Sequence, residues 1–175
     1  ASGEAALGEL RKIAAANTGD PVALRPPVNV KSNIEEFDPV VAKFVRFTIH
    51  QSNTGSQPCI DELMVFGPGN VNMAPAAVAT SSGNLPGYPI HKLGHINDGK
   101  VGNSHSWISN EPGKGWVKLE FKQPARVARI EWGRDREGKF SDRLATDYVI
   151  EGSMDGSGWQ LLAGNDTTDA HASSA

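Results

Sequence analysis

Tyr148-Val149-Ile150-Glu151-Gly152-Ser153-Met154-Asp155-Gly156-Ser157-Gly158-Trp159 is the stretch whose pattern decides the fold. Tyr148, Ile150 and Gly152 point one way and Val149, Glu151 and Ser153 the other, the period-two alternation of a half-buried strand. The alternation breaks at Asp155-Gly156, where glycine accepts a positive φ without steric cost and a turn is expected. Trp159-Gln160-Leu161-Leu162 then opens a new apolar run. Taken alone, the stretch is a β-hairpin.

Outward from the hairpin, the same signature returns. In Trp116–Phe121, Val117, Leu119 and Phe121 share a face and charged residues take the other; Gln123-Pro124 is expected to turn, and Ala128, Ile130 and Trp132 to face the core. Phe44–Ile49 alternates too, with Val45, Phe47 and Ile49 on one side. A polar loop, Gln51–Pro58, leads to Ile60-Asp61-Glu62-Leu63-Met64-Val65-Phe66, and Gly67-Pro68-Gly69 ends that unit. The chain has 19 Gly and 11 Pro in 175 residues, the turn-rich composition of an all-β architecture. Residues 4–16 are the exception. Ala5, Ala6, Leu7, Leu10, Ile13 and Ala14 fall at helical spacing, with Glu4 near the start and Lys12 near the end. Asn17–Pro21 stops that helix. Trp107, Trp116, Trp132 and Trp159 lie in strand patterns and are read as core.

The string Y-x-I-x-x-S-x-D-G-x-x-W at Tyr148–Trp159 resembles the hairpin of discoidin domains (coagulation factor 5/8 type C) and of the related family 32 carbohydrate-binding modules. A-K-F-V-R-F-T-I with C-I-D-E-L-M-V-F-G looks like that family's closing pair of strands. Asn72-Met73-Ala74, Ala79–Ser82 and Ile96-Asn97-Asp98-Gly99 look like its opening. In the family the closing pair follows the hairpin, whereas here it comes first. The resemblance therefore implies a circularly permuted discoidin-like jelly-roll β-sandwich with a short N-terminal helix. Residues 1–36 would be helix and connector and 37–163 one sandwich, with 37–67 supplying the closing strands and 70–163 the rest. Residues 164–175 would be a disordered tail. The rivals are a remnant of a preceding domain beside a truncated one, and a strand pair swapped into a neighbour.

Composition narrows function. The net charge of −3, with no local basic cluster, gives no case for nucleic acid. No run of about 18 apolar residues occurs. Cys59 is the single cysteine, read as a buried, inert thiol. There is no G-x-S-x-G, H-E-x-x-H, Walker loop or paired Cys-His spacing, so no enzyme is expected. His91 and His95 are four apart, but Pro86, Gly87, Pro89 and Gly94 argue against the helix that would align them on a transition metal.

The loop His95–Trp107 is rich in oxygen donors, and Gly99 and Gly102 permit tight wrapping. It resembles the structural Ca²⁺ loop of the carbohydrate-binding relatives. That likeness implies Asp98 and Glu62 as metal ligands, with Asn103, Ser104, Ser106 and His95 as further candidates. The rival reading is a self-hydrogen-bonded loop without metal. Sugar sites need a flat aromatic for the C–H face and planar polar groups for hydroxyls. Tyr88 and His91 in the loop 83–92, and Arg134, Arg136, Phe140 and Asp142 in the loop 132–143, could supply them. Equally, interleaved Arg and Asp could pair among themselves, and Tyr88 could pack locally. The loop strings also look like those of discoidin-type modules in large secreted bacterial proteins that degrade polysaccharides.

The expectation is a non-catalytic, calcium-stabilised, lectin-like module that binds a glycan or polysaccharide through its loops and targets a larger secreted or cell-surface (extracellular or periplasmic) protein. Ala1-Ser2-Gly3-Glu4 offers no n-region and h-region, so any secretion signal would lie outside this sequence. One alternative is a module that packs against other domains of a larger chain. Another is phospholipid binding through Leu85 and Tyr88, against which stands the lack of surrounding Lys and Arg, so no membrane partner is expected.

Overall fold

The computed structural model describes residues 26–165. The helix expected over 4–16 and most of the expected tail lie outside the described residues. What is described is an all-β sandwich. Eight strands occur in the order β1 (Asn33–Ser52), β2 (Cys59–Ile60), β3 (Glu62–Phe66), β4 (Val78–Ser81), β5 (Trp107–Ile108), β6 (Gly115–Gly133), β7 (Ala145–Ser153) and β8 (Gln160–Gly164), with single 3₁₀ turns at Ala74–Ala76 and Leu93–His95.

β1 and β6 pair antiparallel along nearly their whole lengths, from Asn33 opposite Trp132 to Ile49 opposite Gly115. β7 lies on the other side of β1, with Phe47 opposite Ile150, and β8 follows at the edge. β3 pairs with the end of β6 and β4 with its beginning. Residues 33–52 thus occupy the middle of the sheet in the same chain, between β6 and β7.

Two irregularities in the β1–β6 ladder shape the layers. Lys43 faces the whole of Phe121–Pro124, because Ala42 pairs with Ala125 and Phe44 with Glu120. Pro124 has no N–H for a ladder, so the strand bulges there but runs on; the turn expected at Gln123-Pro124 does not form. Phe37–Pro39 likewise face Ala128 alone. That bulge shifts the phase, so Val127 is the buried side chain and Ala128 is only partly covered.

The bent halves meet through aromatic rings. Phe47 stacks on Tyr148 with centroids 4.8 Å apart, and Trp132 meets both edge-on at 5.2 and 4.9 Å. Such pairs contribute about 0.5–1.5 kcal/mol beyond their burial. Val45, Ile49, Leu63, Val65, Val117, Leu119, Ile130 and Ile150 belong to the same core, mostly on the faces the alternation assigns them. The hairpin at Tyr148–Trp159 forms as its pattern indicates. Gly156 takes φ 78°, and Asp155 Oδ1 accepts the N–H groups of Ser157 and Gly158, both at 2.8 Å.

Several boundaries differ from expectation. β1 begins at Asn33, ahead of residue 37, and Val28 and Val30 already pack on the core. Gly164 belongs to β8, and the Asn165 side chain accepts from Tyr148 N and donates to Thr146 O, so the ordered chain runs past 163. Trp107 and Trp132 are buried, but Trp116 and Trp159 are not core: both are only partly buried, Trp116 in β6 and Trp159 just ahead of β8, where the Arg46 guanidinium lies 4.0 Å over the Trp159 ring.

Candidate functional site

The short ladder of β2 on β5 pins the loop 95–106 beside the loop 133–143 at one end of the sandwich. Two acidic residues interrupt an otherwise apolar stretch, Asp61 between β2 and β3 and Glu62 at the start of β3, and both are fully buried. Asp61 Oδ2 accepts Gly102 N at 3.0 Å and Arg136 N at 2.7 Å, so one carboxylate ties the two loops together. Burial pushes the Asp61 carboxyl above its ordinary value, against the pull of those N–H groups and of Arg136.

Glu62 is less well supplied. Its Oε1 accepts Gly99 N at 3.0 Å, but its buried Oε2 has no hydrogen-bond partner among the described residues. Burial pushes this carboxyl up to about 8; the negative charges of Asp98 and Asp61 add to that, and the Gly99 N–H and Arg136 oppose it. A buried acceptor without a donor is costly unless something else satisfies it. A hard cation between Glu62 and Asp98 would do so, and carboxylate and backbone oxygens are its preferred ligands. Glu62, with its orphaned oxygen, is thus the residue at which the calcium implied by the resemblance would be held, with Asp98 near by.

The other metal candidates divide. Asp98 Oδ1 accepts Lys100 N at 2.8 Å, and its Oδ2 lies 3.3 Å from His105 Nδ1. The His95 ring stands 5.0 Å from the His105 ring. Asn103 and Ser106 face the other way: Asn103 Oδ1 accepts from Arg134 and Ser106 Oγ meets His91, so neither is free for an ion at Asp98. Ser104 is exposed.

The second loop is organised around a buried guanidinium. Arg134 is 2 % exposed. Its Nε donates to Asp142 O at 2.6 Å, Nη2 to Asp142 Oδ1 at 3.0 Å, and Nη1 to Asn103 Oδ1 at 2.8 Å and to Cys59 Sγ at 3.3 Å. Asp142 also pairs with Arg143, whose left-handed backbone (φ 61°) is held through Gln57. Asp135, fully buried, accepts the N–H groups of Glu137, Lys139 and Phe140 and sets the loop's curl. From below, Val30 O accepts Arg134 N and Asp135 N, and the backbone comes so close at Gly133 that a Cβ there would lie 2.5 Å from Lys31 O.

Arg134 and Arg136, expected to reach sugar hydroxyls, are instead structural. Burial gives Arg134 internal acceptors, and the partly buried Arg136 folds back along β3 towards Asp61 and Glu62 O. His91 is also buried. Ser106 Oγ gives its hydrogen to Asn103 O, so it accepts from His91 Nδ1–H at 2.8 Å. Burial and the positive charges of Arg134 and Arg143 hold His91 below its usual pKa. Tyr88 and Phe140 are the side chains left for a ligand, 55 % and 46 % exposed, with Asp142 half-exposed. A continuous chain of contacts joins them, from Tyr88 through His91, Ser106, Asn103 and Arg134 to Phe140, whose ring centroid lies 5.5 Å from the Arg134 guanidinium.

Sequence reasoning did not single out Asp61, Asp135 or His105. Two adjacent acids inside an apolar strand signal that one must turn inward, which is a readable sign for Asp61. His105 stands seven residues from Asp98 in an irregular loop, where no periodicity predicts contact. Cys59 is buried as expected, with burial pushing its thiol up to about 11. Comparison with protein-family models, curated proteins and solved structures yields no match.

Proposed function

We propose that the chain is a non-catalytic carbohydrate-binding module of discoidin type, circularly permuted, that serves to attach a larger secreted protein to glycan. The observation that carries this reading is the pair of exposed aromatics, Tyr88 and Phe140, on two loops joined through His91, Ser106, Asn103 and Arg134. Rigidly held aromatic faces stack on the C–H side of sugar rings, and the half-exposed Asp142 beside them offers carboxylate oxygens to hydroxyls. The permuted arrangement is supported by the place of β1 between β6 and β7 and of β3 beside β6. Calcium would be held by Glu62 and Asp98 and would fix the loop rather than take part in chemistry.

A second reading, contact with other domains of a larger chain, is favoured by the surface around Trp159. There Val40, Val41, Met154 and Trp159 line a groove, with Val41 and Met154 each 50 % exposed.

The test is a glycan array read in millimolar calcium and again after chelation. Selective binding that Tyr88→Ala and Phe140→Ala each weaken tenfold or more, in protein with an unchanged melting point, is the expected result. A blank array from folded protein turns the argument to the Trp159 surface.

A further inference from the structure

We propose that His95, Asp98 and His105 form a site for a borderline transition-metal cation of the zinc type, a function beyond glycan binding and different in ligand chemistry from the calcium reading. One ligand atom from each of the three residues lies within 4.8 Å of the others. Two ligands about 2.0–2.1 Å from one tetrahedral ion stand roughly 3.3–3.4 Å apart. His105 Nδ1 and Asp98 Oδ2 are 3.3 Å apart, already at that spacing.

The neighbouring groups orient these ligands as metal sites require. His95 Nδ1 lies 3.0 Å from Ile90 O. A carbonyl can only accept, so Nδ1 carries the proton and Nε2 presents the lone pair. Lys100 N holds Asp98 Oδ1, leaving Oδ2 on the histidine side. The His105 and Asp98 side chains are 34 % and 22 % exposed, so the ion has an entry path. Closing the His95 atom onto the ion takes movement of about an ångström, within the range of partly exposed side-chain torsions.

Two imidazoles and one carboxylate select zinc, nickel or copper over calcium, which prefers oxygen throughout. Three protein ligands leave a fourth position for water or an incoming carboxylate. Asp98 is shared with the calcium reading, whereas Glu62 belongs to that reading alone and His95 and His105 to this one.

The experiment is a zinc titration of the full chain by calorimetry in a non-coordinating buffer, with imidazole ¹⁵N shifts followed by NMR. The expected result is saturable binding of one ion that perturbs the His95 and His105 imidazoles. His95→Ala and His105→Ala each weaken it roughly tenfold or more. Absence of saturable binding overturns the proposal. So does binding that both histidine variants retain, or zinc shifts confined to other residues of the wild-type chain, a readout that needs no variant to fold. Glycan binding can succeed or fail independently of each of these outcomes.

Discussion

Around Arg134, Asn103, Cys59 and Asp142 have closed on one guanidinium, while around Glu62 and Asp98, on the other side of the Asp61 carboxylate, a buried oxygen lacks a donor and two imidazoles crowd one carboxylate. Both regions belong to the same loop end and draw on the same residue types. They differ in whether the polar groups satisfy one another. A buried network whose members are all paired rigidifies a loop and needs nothing from outside. One with an orphaned acceptor carries a standing cost that an ion, a proton or a ligand would relieve. The saturated half is therefore the scaffold under Tyr88 and Phe140, and the unsaturated half is where an ion or a proton would enter.

The strongest way to break this contrast is to unseat Arg134. Arg134→Ala would strand Asn103 Oδ1 and Cys59 in a dry site, while half-exposed Asp142 regains water. A loss of about 3 kcal/mol is expected, the lower end for breaking a buried pair, read as a fall in the urea midpoint. Arg134→Lys should recover little of it, because one ammonium cannot reach three differently placed acceptors with a fork's geometry. A midpoint that either variant leaves unmoved would mean that the network is not a scaffold.

The sheet was legible in the sequence and the loop end was not, for a physical reason. Alternation at Val45, Phe47 and Ile49, and at Tyr148 and Ile150, reports a face directly, since side-chain direction in a strand has period two. The Asp155-Gly156 turn is likewise local chemistry. Pro124 misled because a proline can sit in a bulge as well as a turn, and the choice depends on the partner strand. Arg134 and Arg136 read as ligand contacts because residue type says nothing about burial in an aperiodic loop; for Arg134 the distant Val30 and Asn103 decide it, and for Arg136 Asp61 and Glu62. Tyr88 and Phe140 were selected by the same reasoning and are exposed. His105 was missed since its partner is set by the wrap of the loop, not by spacing.

An intermediate effect is expected at Glu62. Its folded-state pKa of about 8 stands above the unfolded value of 4.5, so the folded chain holds that proton more tightly. The associated stability is fully present below about pH 4.5 and is lost as pH rises through about 8. In metal-free buffer the melting temperature should fall between about pH 5 and pH 8. Glu62→Gln should flatten most of that fall, and a smaller slope of the same sign should remain from Asp61, whose carboxyl is raised as well. Millimolar calcium should flatten it in the parent chain but not in the variant. An unaltered slope in Glu62→Gln would place the titrating group elsewhere and remove the orphaned oxygen from the argument.

The smallest expected stability effect separates scaffold from ligand surface most sharply. Phe140 lies on the saturated half yet is 46 % exposed, touching that network through the Arg134 guanidinium 5.5 Å from its ring centroid. A cation–π contact of this kind contributes about 0.5–1 kcal/mol, and little apolar area is lost with the ring. Phe140→Ala should therefore move the urea midpoint by no more than about 1 kcal/mol, against the threefold larger change at Arg134. If Phe140 instead proved as costly as Arg134, the aromatic would be part of the lock between the loops. Its loss could then no longer serve as a clean probe of sugar stacking, and Tyr88, which sits outside the guanidinium's reach, would have to carry that test.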